Sequence, residues 1–389
     1  VNKKYLFAVL AGLATSFMIY TWGGFRFIFL SISLATMIAF FLGKVRKEES
    51  IVYGLWFLPS YLTLISWQGL SGTLFDITTS IPALFVFMLI WVNFFLGNFL
   101  GGKAREITNK GWFGNELVCF LSVILVGFLA LLLIKPEFAL SIFGDLIGRL
   151  LHPYGSGRVG LTVAENLEPY TSDLINSQFG KGFFWMLFFG IILVFYDAIK
   201  HFGGRHKTIL ISSFLLFITA FIFSRYSASS IFNGTNFISQ LFYFGSMTIF
   251  LVSMGYVYVK NSNSGEKSAE LASINYNYLL LLSLTLLMIL ASKAAVRLLF
   301  ISSPVFTISV AFLPMIFVSY WTKTKDDLWK ILFLILILVR AFFFEKRFIS
   351  YEKTTLYSTQ ATIPSSYTMQ WQKAMSWVRS ETPEKSIFV

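Results

Sequence analysis

A helix needs about 20 mostly apolar residues to cross the ~30 Å hydrocarbon core of a bilayer, and runs of that kind recur along this chain. Eleven stand out: 5–22, 25–42, 51–67, 81–100, 116–134, 182–199, 208–224, 238–259, 276–292, 298–320 and 329–344. The third is the weakest, because Pro59, Ser60 and Ser66 dilute it. The expected fold is therefore all-α and integral to the membrane, a polytopic bundle of about eleven spans. Composition agrees. Charged residues make up 13% of the chain and hydrophobic residues 56%, whereas a soluble domain carries about 25% charged residues. The 45 Phe and 10 Trp are more ring surface than one soluble core needs. The first run is read as a span rather than a signal peptide, because no small-residue cleavage site is followed by a soluble domain.

The net charge of +12 is informative through its distribution. With the N-terminus inside, the inner loops carry Lys3 and Lys4; Lys44, Arg46 and Lys47; Lys103, Arg105 and Lys110; Lys200, Arg205 and Lys207; Lys260 and Lys267; and Lys323 and Lys325. The short connections on the other side carry fewer: none in 68–79, then Arg225, and Lys293 with Arg297. This is a positive-inside pattern. It predicts a cytoplasmic N-terminus and a multi-pass cell-membrane protein whose long loop and tail face outward. Membrane lipid is the expected surrounding partner, and nucleic acid is not.

Two segments break the rhythm of spans. Residues 135–181 form a long external loop that opens with an amphipathic stretch (Phe138, Leu140, Ile142, Phe143, Leu146, Ile147, Leu150, Leu151) suited to the membrane interface. Residues 345–389 lose hydrophobicity and read as the start of a truncated extracytoplasmic domain after a transmembrane domain over 1–344. Within that tail, the stretch through Trp371, Met375 and Trp377 reads as a short surface helix with an aromatic face. The segment 261–274, rich in Ser, Asn and Gly, reads as a flexible linker.

Few residues suggest chemistry. Cys119 lies in an apolar run and reads as an inert thiol, and His152, His201 and His206 lack metal-ligand spacing. No Ser-His-Asp set, phosphate loop or dinucleotide fingerprint is present. Asn233-Gly234-Thr235 is a glycosylation sequon in an outer loop, read as incidental. In the long loop, glycines 155, 157 and 160 precede Thr162-Val163-Ala164-Glu165, a hydroxyl and a carboxylate three residues apart. That spacing serves a capping box or a ligand at the membrane surface. Arg297 and Arg225 lie at the outer boundary of their spans. An arginine at bilayer depth costs about 2.5–3.5 kcal/mol, so each either snorkels to the headgroups or meets an anion.

Four motifs occur in an order that resembles one family. Thr162-Val163-Ala164-Glu165 resembles the Thr-Ile-x-Glu motif of the fifth external loop in bacterial and archaeal single-subunit oligosaccharyltransferases. Thr21-Trp22-Gly23-Gly24 resembles that family's Trp-Gly-Gly turn between two early helices. Val296-Arg297-Leu298 followed by Ser303-Pro304-Val305 resembles its arginine-bearing helix near the lipid phosphate, and Trp371 through Pro383 resembles the lead-in to its Trp-Trp-Asp-Tyr-Gly motif. Relative to the family, 208–224 and 238–259 look like an added helix pair. The family's first catalytic aspartate and its Asp-x-Glu motif would lie upstream of residue 1, and the Trp-Trp-Asp-Tyr-Gly motif downstream of residue 389. The 389-residue chain alone is therefore expected to be inactive.

The resemblance implies a glycosyltransferase C-type transmembrane domain. It implies transfer of oligosaccharide from a polyprenyl (di)phosphate lipid to asparagine in Asn-x-Ser/Thr sequons on the outer face. In this reading Glu165 is catalytic and sits beside a divalent metal (Mn or Mg), and Thr162 and Val163 belong to the acceptor loop. Arg297, with Arg225 as its rival, binds the lipid phosphate. The partners are a lipid-linked oligosaccharide and a sequon-containing polypeptide. The alternatives are another polyprenyl-phosphate-sugar glycosyltransferase and, from a different class, a lipid-glycan transporter. The transporter would place paired ionisable or helix-breaking residues at mid-membrane.

Overall fold

The computed structural model describes residues 3–77, 79–99, 115–151, 167–263, 269–323 and 369–383, with five residue pairs between 330 and 357. The long helices among them are α1 (Lys3–Thr21), α2 (Phe25–Phe41), α3 (Lys47–Leu74), α4 (Ser80–Phe99), α5 (Asn115–Ile134), α6 (Pro136–Leu151), α7 (Lys181–Ala198), α8 (Gly204–Phe223), α9 (Phe237–Asn263), α10 (Tyr276–Ala294), α11 (Leu299–Lys323) and α12 (Met369–Glu381). Among the described residues there is no strand, only an isolated bridge between Arg225 and Asn233. The chain divides into two compact units, Val1–Leu313 and Pro314–Val389. The expected division after residue 344 lies outside the described residues. In the second unit α12 presents Trp371, Met375 and Trp377 as exposed side chains.

Eight of these helices are long and apolar enough to cross a membrane, and 25–41 and 80–95 are apolar but shorter. The eleventh expected span, 329–344, falls largely outside the described residues. The first unit distributes its side chains as a bilayer requires. Apolar groups point outward: Phe7, Phe17, Leu125, Val126, Leu133, Phe237 and Val252 are all more than half exposed. Small hydroxyl residues turn inward, with Ser31, Ser33, Ser60, Ser283, Thr285, Ser302 and Ser309 buried. Where lipid solvates apolar surface as well as a core does, helices associate through close packing and hydrogen bonds between small residues. The protein is a membrane-embedded helical bundle.

The α1–α3 pair illustrates how the sequence produces this. Ala8, Gly12, Thr15, Ser16 and Ile19 recur at helical spacing and form the buried face of α1. Pro59 in α3 cannot donate to Leu55, and the bare face of Gly12 packs against that interruption. A Cβ at Gly12 would lie 2.6 Å from Pro59 Cγ and 2.8 Å from the Trp56 carbonyl oxygen. Three hydrogen bonds cross the seam: Trp56 Nε1 to Thr15 Oγ1 at 3.2 Å, Ser60 Oγ to the Gly12 carbonyl at 3.1 Å and Ser16 Oγ to the Pro59 carbonyl at 3.2 Å. The polar residues that dilute this run in the sequence are thus its interhelical contacts.

Within the first unit the helices run in alternating directions, apart from α6, which starts at the same end as α7, because contacts between their termini sort into two ends. At one end Lys4 pairs with Glu48, and Tyr276 Oη donates to the Lys44 carbonyl at 2.7 Å. Glu270 accepts there from Gly203 N at 2.7 Å and Asn261 Nδ2 at 2.9 Å, and lies 3.1 Å from His206 Nδ1. Burial raises the Glu270 carboxyl, but these hydrogen bonds outweigh it and hold the group below the ordinary carboxylate range. The segment expected to be a flexible linker therefore carries a short helix, Ala269–Ser273, fastened to the bundle; residues 264–268 lie outside the described residues. At the opposite end Thr171 N donates to the Arg225 carbonyl at 2.9 Å and Val296 N to the Leu167 carbonyl at 3.1 Å. Phe138 of α6 stacks edge-on against Phe75 there, with ring centroids 4.9 Å apart.

Candidate functional site

The second end, opposite Lys4 and Lys44, holds a groove of about 1330 Å³. Three stretches far apart in sequence line it: the turn Thr21–Gly24 with Arg26, Trp67 and Gln68 near the end of α3, and Arg297 to Pro304 at the start of α11. The α1–α2 turn is built around Gly24, whose missing Cβ leaves room for the Trp22 indole. Gly69 breaks α3 with φ 78° and ψ 164°, directly after Gln68. Arg297 lies in a single 3₁₀ turn, Val296–Leu298, between α10 and α11. Arg26 and Arg297 are both exposed. Apolar walls with a few fixed polar groups describe a ligand site in general terms.

Beside this groove lies a half-buried ion pair. Arg225 Nη1 is 2.6 Å from Glu168 Oε2, with side-chain exposures of 12% and 18%. The guanidinium also sits 4.8 Å over the Tyr170 ring. Its backbone is held by Thr171 and by the bridge to Asn233. Asn233 Oδ1 accepts from Thr235 N and Asn236 N at 3.0 Å, closing a turn in which Gly234 has φ +88°. A side chain on Gly234 would also meet Arg225 Cγ at 2.8 Å, so the sequon doubles as the turn that packs on Arg225.

Lys293, near the end of α10, is 3% exposed. Its ammonium donates to the carbonyl of Phe221 and contacts the Ile222 carbonyl at 3.4 Å and Ser224 Oγ at 3.3 Å. The Phe221 and Ile222 carbonyls belong to the last turn of α8, the negative end of that helix, where a cation is stabilised. The ring of Phe221 adds a cation–π contact at 5.5 Å.

Glu168 lies outside the spans. Burial pushes its carboxyl up to about 7, against the downward pull of Arg225 and Lys293. The sign of the consequence follows from linkage: a carboxyl whose pKa is higher folded than unfolded contributes stability that is complete below about 4.5 and lost as pH rises through about 7. The first unit should therefore be more stable at pH 5 than at pH 8 by up to about 3 kcal/mol from this group. Glu168→Gln should flatten that difference, as measured by thermal unfolding in detergent across the pH range. An unchanged profile in the variant would show that Glu168 is not its source.

The residues expected to carry function fall in three places. Thr162, Val163 and Glu165 lie outside the described residues, which end at Leu151 and resume at Leu167. Arg297 lines the groove, whereas Arg225 is committed to Glu168. Among the described residues no group of three or more His, Cys, Asp or Glu side chains could hold a metal, so they do not by themselves form a site for the expected divalent ion. Sequence reasoning missed Glu168, Lys293 and Arg26. Lys293 in particular reads as a loop lysine, and the available signal was its position inside the apolar run Ala291–Ala295, short of the turn.

Fold and site together define a multi-pass membrane protein with a cationic, aromatic-lined groove at one end of its bundle. No family model, curated protein or solved structure matches the chain.

Proposed function

We propose that this chain is the membrane domain of an oligosaccharyltransferase that takes its glycan from a polyprenyl-phosphate-linked donor and transfers it to sequon asparagine. One observation carries the reading. Trp22-Gly23-Gly24, Arg297 and Ser303-Pro304, picked out by their resemblance to that family, come from distant parts of the sequence and line one groove. Leu167, the first described residue after the segment 152–166 that carries Thr162, Val163 and Glu165, meets Val296 at this same end. In this reading that segment is the acceptor loop of the donor site, on the side expected from the basic-loop pattern to be extracytoplasmic.

In this reading Arg297 holds the lipid phosphate. Its guanidinium offers a fork of donors that matches phosphate oxygens, and it is exposed in the groove. Arg225 supports the scaffold instead. The acceptor carboxamide, a poor nucleophile, would be held by Glu165 through its N–H groups. A divalent ion, when bound, would stabilise the leaving phosphate. A transporter reading gains nothing from Lys293, which caps a helix at the end of the bundle rather than lining a mid-membrane path.

The test is donor binding in nanodiscs with a polyprenyl-linked oligosaccharide, followed by donor-dependent photo-crosslinking of a sequon peptide to residues 162–165. Arg297→Met should weaken donor binding by about tenfold or more, and Arg225→Met should do so only through loss of fold. Absence of donor binding by the wild-type chain would sink the reading. Donor binding without peptide crosslinking would favour a glycosyltransferase that acts on lipid acceptors.

A further inference from the structure

Helix α12, in the second unit, carries two tryptophans and two methionines in 13 residues, and none of its residues is buried. Trp371 and Trp377 are 58% and 59% exposed, more than a helix surrounded by water would favour. At 3.6 residues per turn, one side of the helix runs from Trp377 through Ala374, Val378 and Trp371 to Met375. Ser376 and Ser380 lie on the opposite side. Lys373 flanks the Trp377 edge and Arg379 flanks the Met375 edge, and both cations are exposed. Gln370 and Glu381 share the apolar side but sit at the two ends of the helix, so its central turns are apolar across that whole side.

We propose that this side of α12 is a membrane-binding surface whose partner is an anionic phospholipid bilayer, with the helix lying flat in the interface. Aromatic and apolar side chains on one face, bordered by cations, are the pattern that settles at the boundary between headgroups and acyl chains. Indole rings favour that depth because each has an apolar body and one N–H donor. The stems of Lys373 and Arg379 can lie along the boundary with their charges among the phosphates. An anionic leaflet attracts each of these cations. The helix is also tethered to a bundle already embedded in the membrane, so a modest affinity is enough to hold it there. The inference stands apart from the donor-lipid reading, because it concerns the other unit and bulk headgroups rather than a polyprenyl ligand.

The experiment uses the full chain with Cys119→Ala, in vesicles of phosphatidylcholine with or without phosphatidylglycerol. A nitroxide is attached after Met375→Cys on the apolar side or Ser376→Cys on the opposite side. Its collision rates with oxygen, which concentrates in acyl chains, and with a water-soluble nickel chelate are then measured. Oxygen should dominate at 375 and nickel at 376. Phosphatidylglycerol should raise the ratio of lipid-immersed to free label at 375 by about tenfold, the joint effect of two cations near an anionic surface. Lys373→Gln with Arg379→Gln should remove that increase and leave the unfolding temperature of the first unit unchanged. Equal nickel access at 375 and 376 would place α12 in water and overturn the proposal. Shielding of 375 from both reagents would mean that protein covers the face, from this chain or a second copy, and would overturn it too. Equal immersion with and without phosphatidylglycerol would overturn the recognition of anionic headgroups.

Discussion

At pH 8, where Glu168 is ionised, Arg225→Met should destabilise the first unit by about 3 kcal/mol, the low end of the range seen when one member of a buried ion pair is removed, the pair being only partly enclosed. Glu168 would lose the guanidinium 2.6 Å away while remaining partly enclosed, at 18% side-chain exposure. The substitution also removes the cation stacked on Tyr170 and the stem packed against Gly234. The matching variant, Arg225→Met with Glu168→Gln, should recover much of the loss, because it removes both charges instead of stranding one. Unfolding in mixed detergent and denaturant would measure both. Equal stability of the wild type and the single variant would mean that the pair is too well solvated to matter. The comparison also separates scaffold from ligand binding, since Arg297→Met should leave stability nearly unchanged while weakening donor affinity.

The second large effect belongs to the α1–α3 seam. Gly12→Leu should cost about 3 kcal/mol or more, at the upper end of overpacking. Its first added carbon would already fall 2.6 Å from Pro59 Cγ and 2.8 Å from the Trp56 carbonyl oxygen. Neither neighbour can move aside, one being a ring and the other backbone, so the helices must separate. Separation would lengthen the bonds of Ser16 to the Pro59 carbonyl and Ser60 to the Gly12 carbonyl. Gly245→Leu in α9 is the control: nothing lies within 4 Å of its added carbon. It should change stability by no more than about 0.5 kcal/mol. Thermal unfolding of the two variants in the same detergent would show the difference. Comparable losses in both would mean that glycine flexibility, and not the close approach, sets the effect.

Much of the architecture was legible because bilayer solvation acts on each helix separately. A run such as 116–134 needs no partner to be recognised, and its helix is in fact mostly exposed apolar surface. Alternating directions were equally legible, since each short connection reverses the chain. The amphipathic stretch after residue 135 and the surface helix around Trp371 also form as expected. Misreadings came where a residue's role depends on a distant neighbour. Ser60 and Pro59 looked like flaws in a weak span until Gly12 was placed against them. Glu270 looked like part of a linker until Gly203 and His206 met it, 67 and 64 residues away.

The candidate site divides along the same line. Resemblance picked out Trp22-Gly23-Gly24 and Arg297 as local strings of letters, and local strings carry turn and helix signals. That they share a groove, that Arg26 joins them, and that Arg225 is spoken for by Glu168 are consequences of tertiary packing. The sequence by itself determined a bundle of membrane helices, because burying apolar side chains in lipid and satisfying backbone hydrogen bonds within one helix are local requirements. Only the tertiary structure decided which cations are neutralised and which face the groove. The energy of a charge is set by what lies within a few ångströms in space, whatever its separation along the chain.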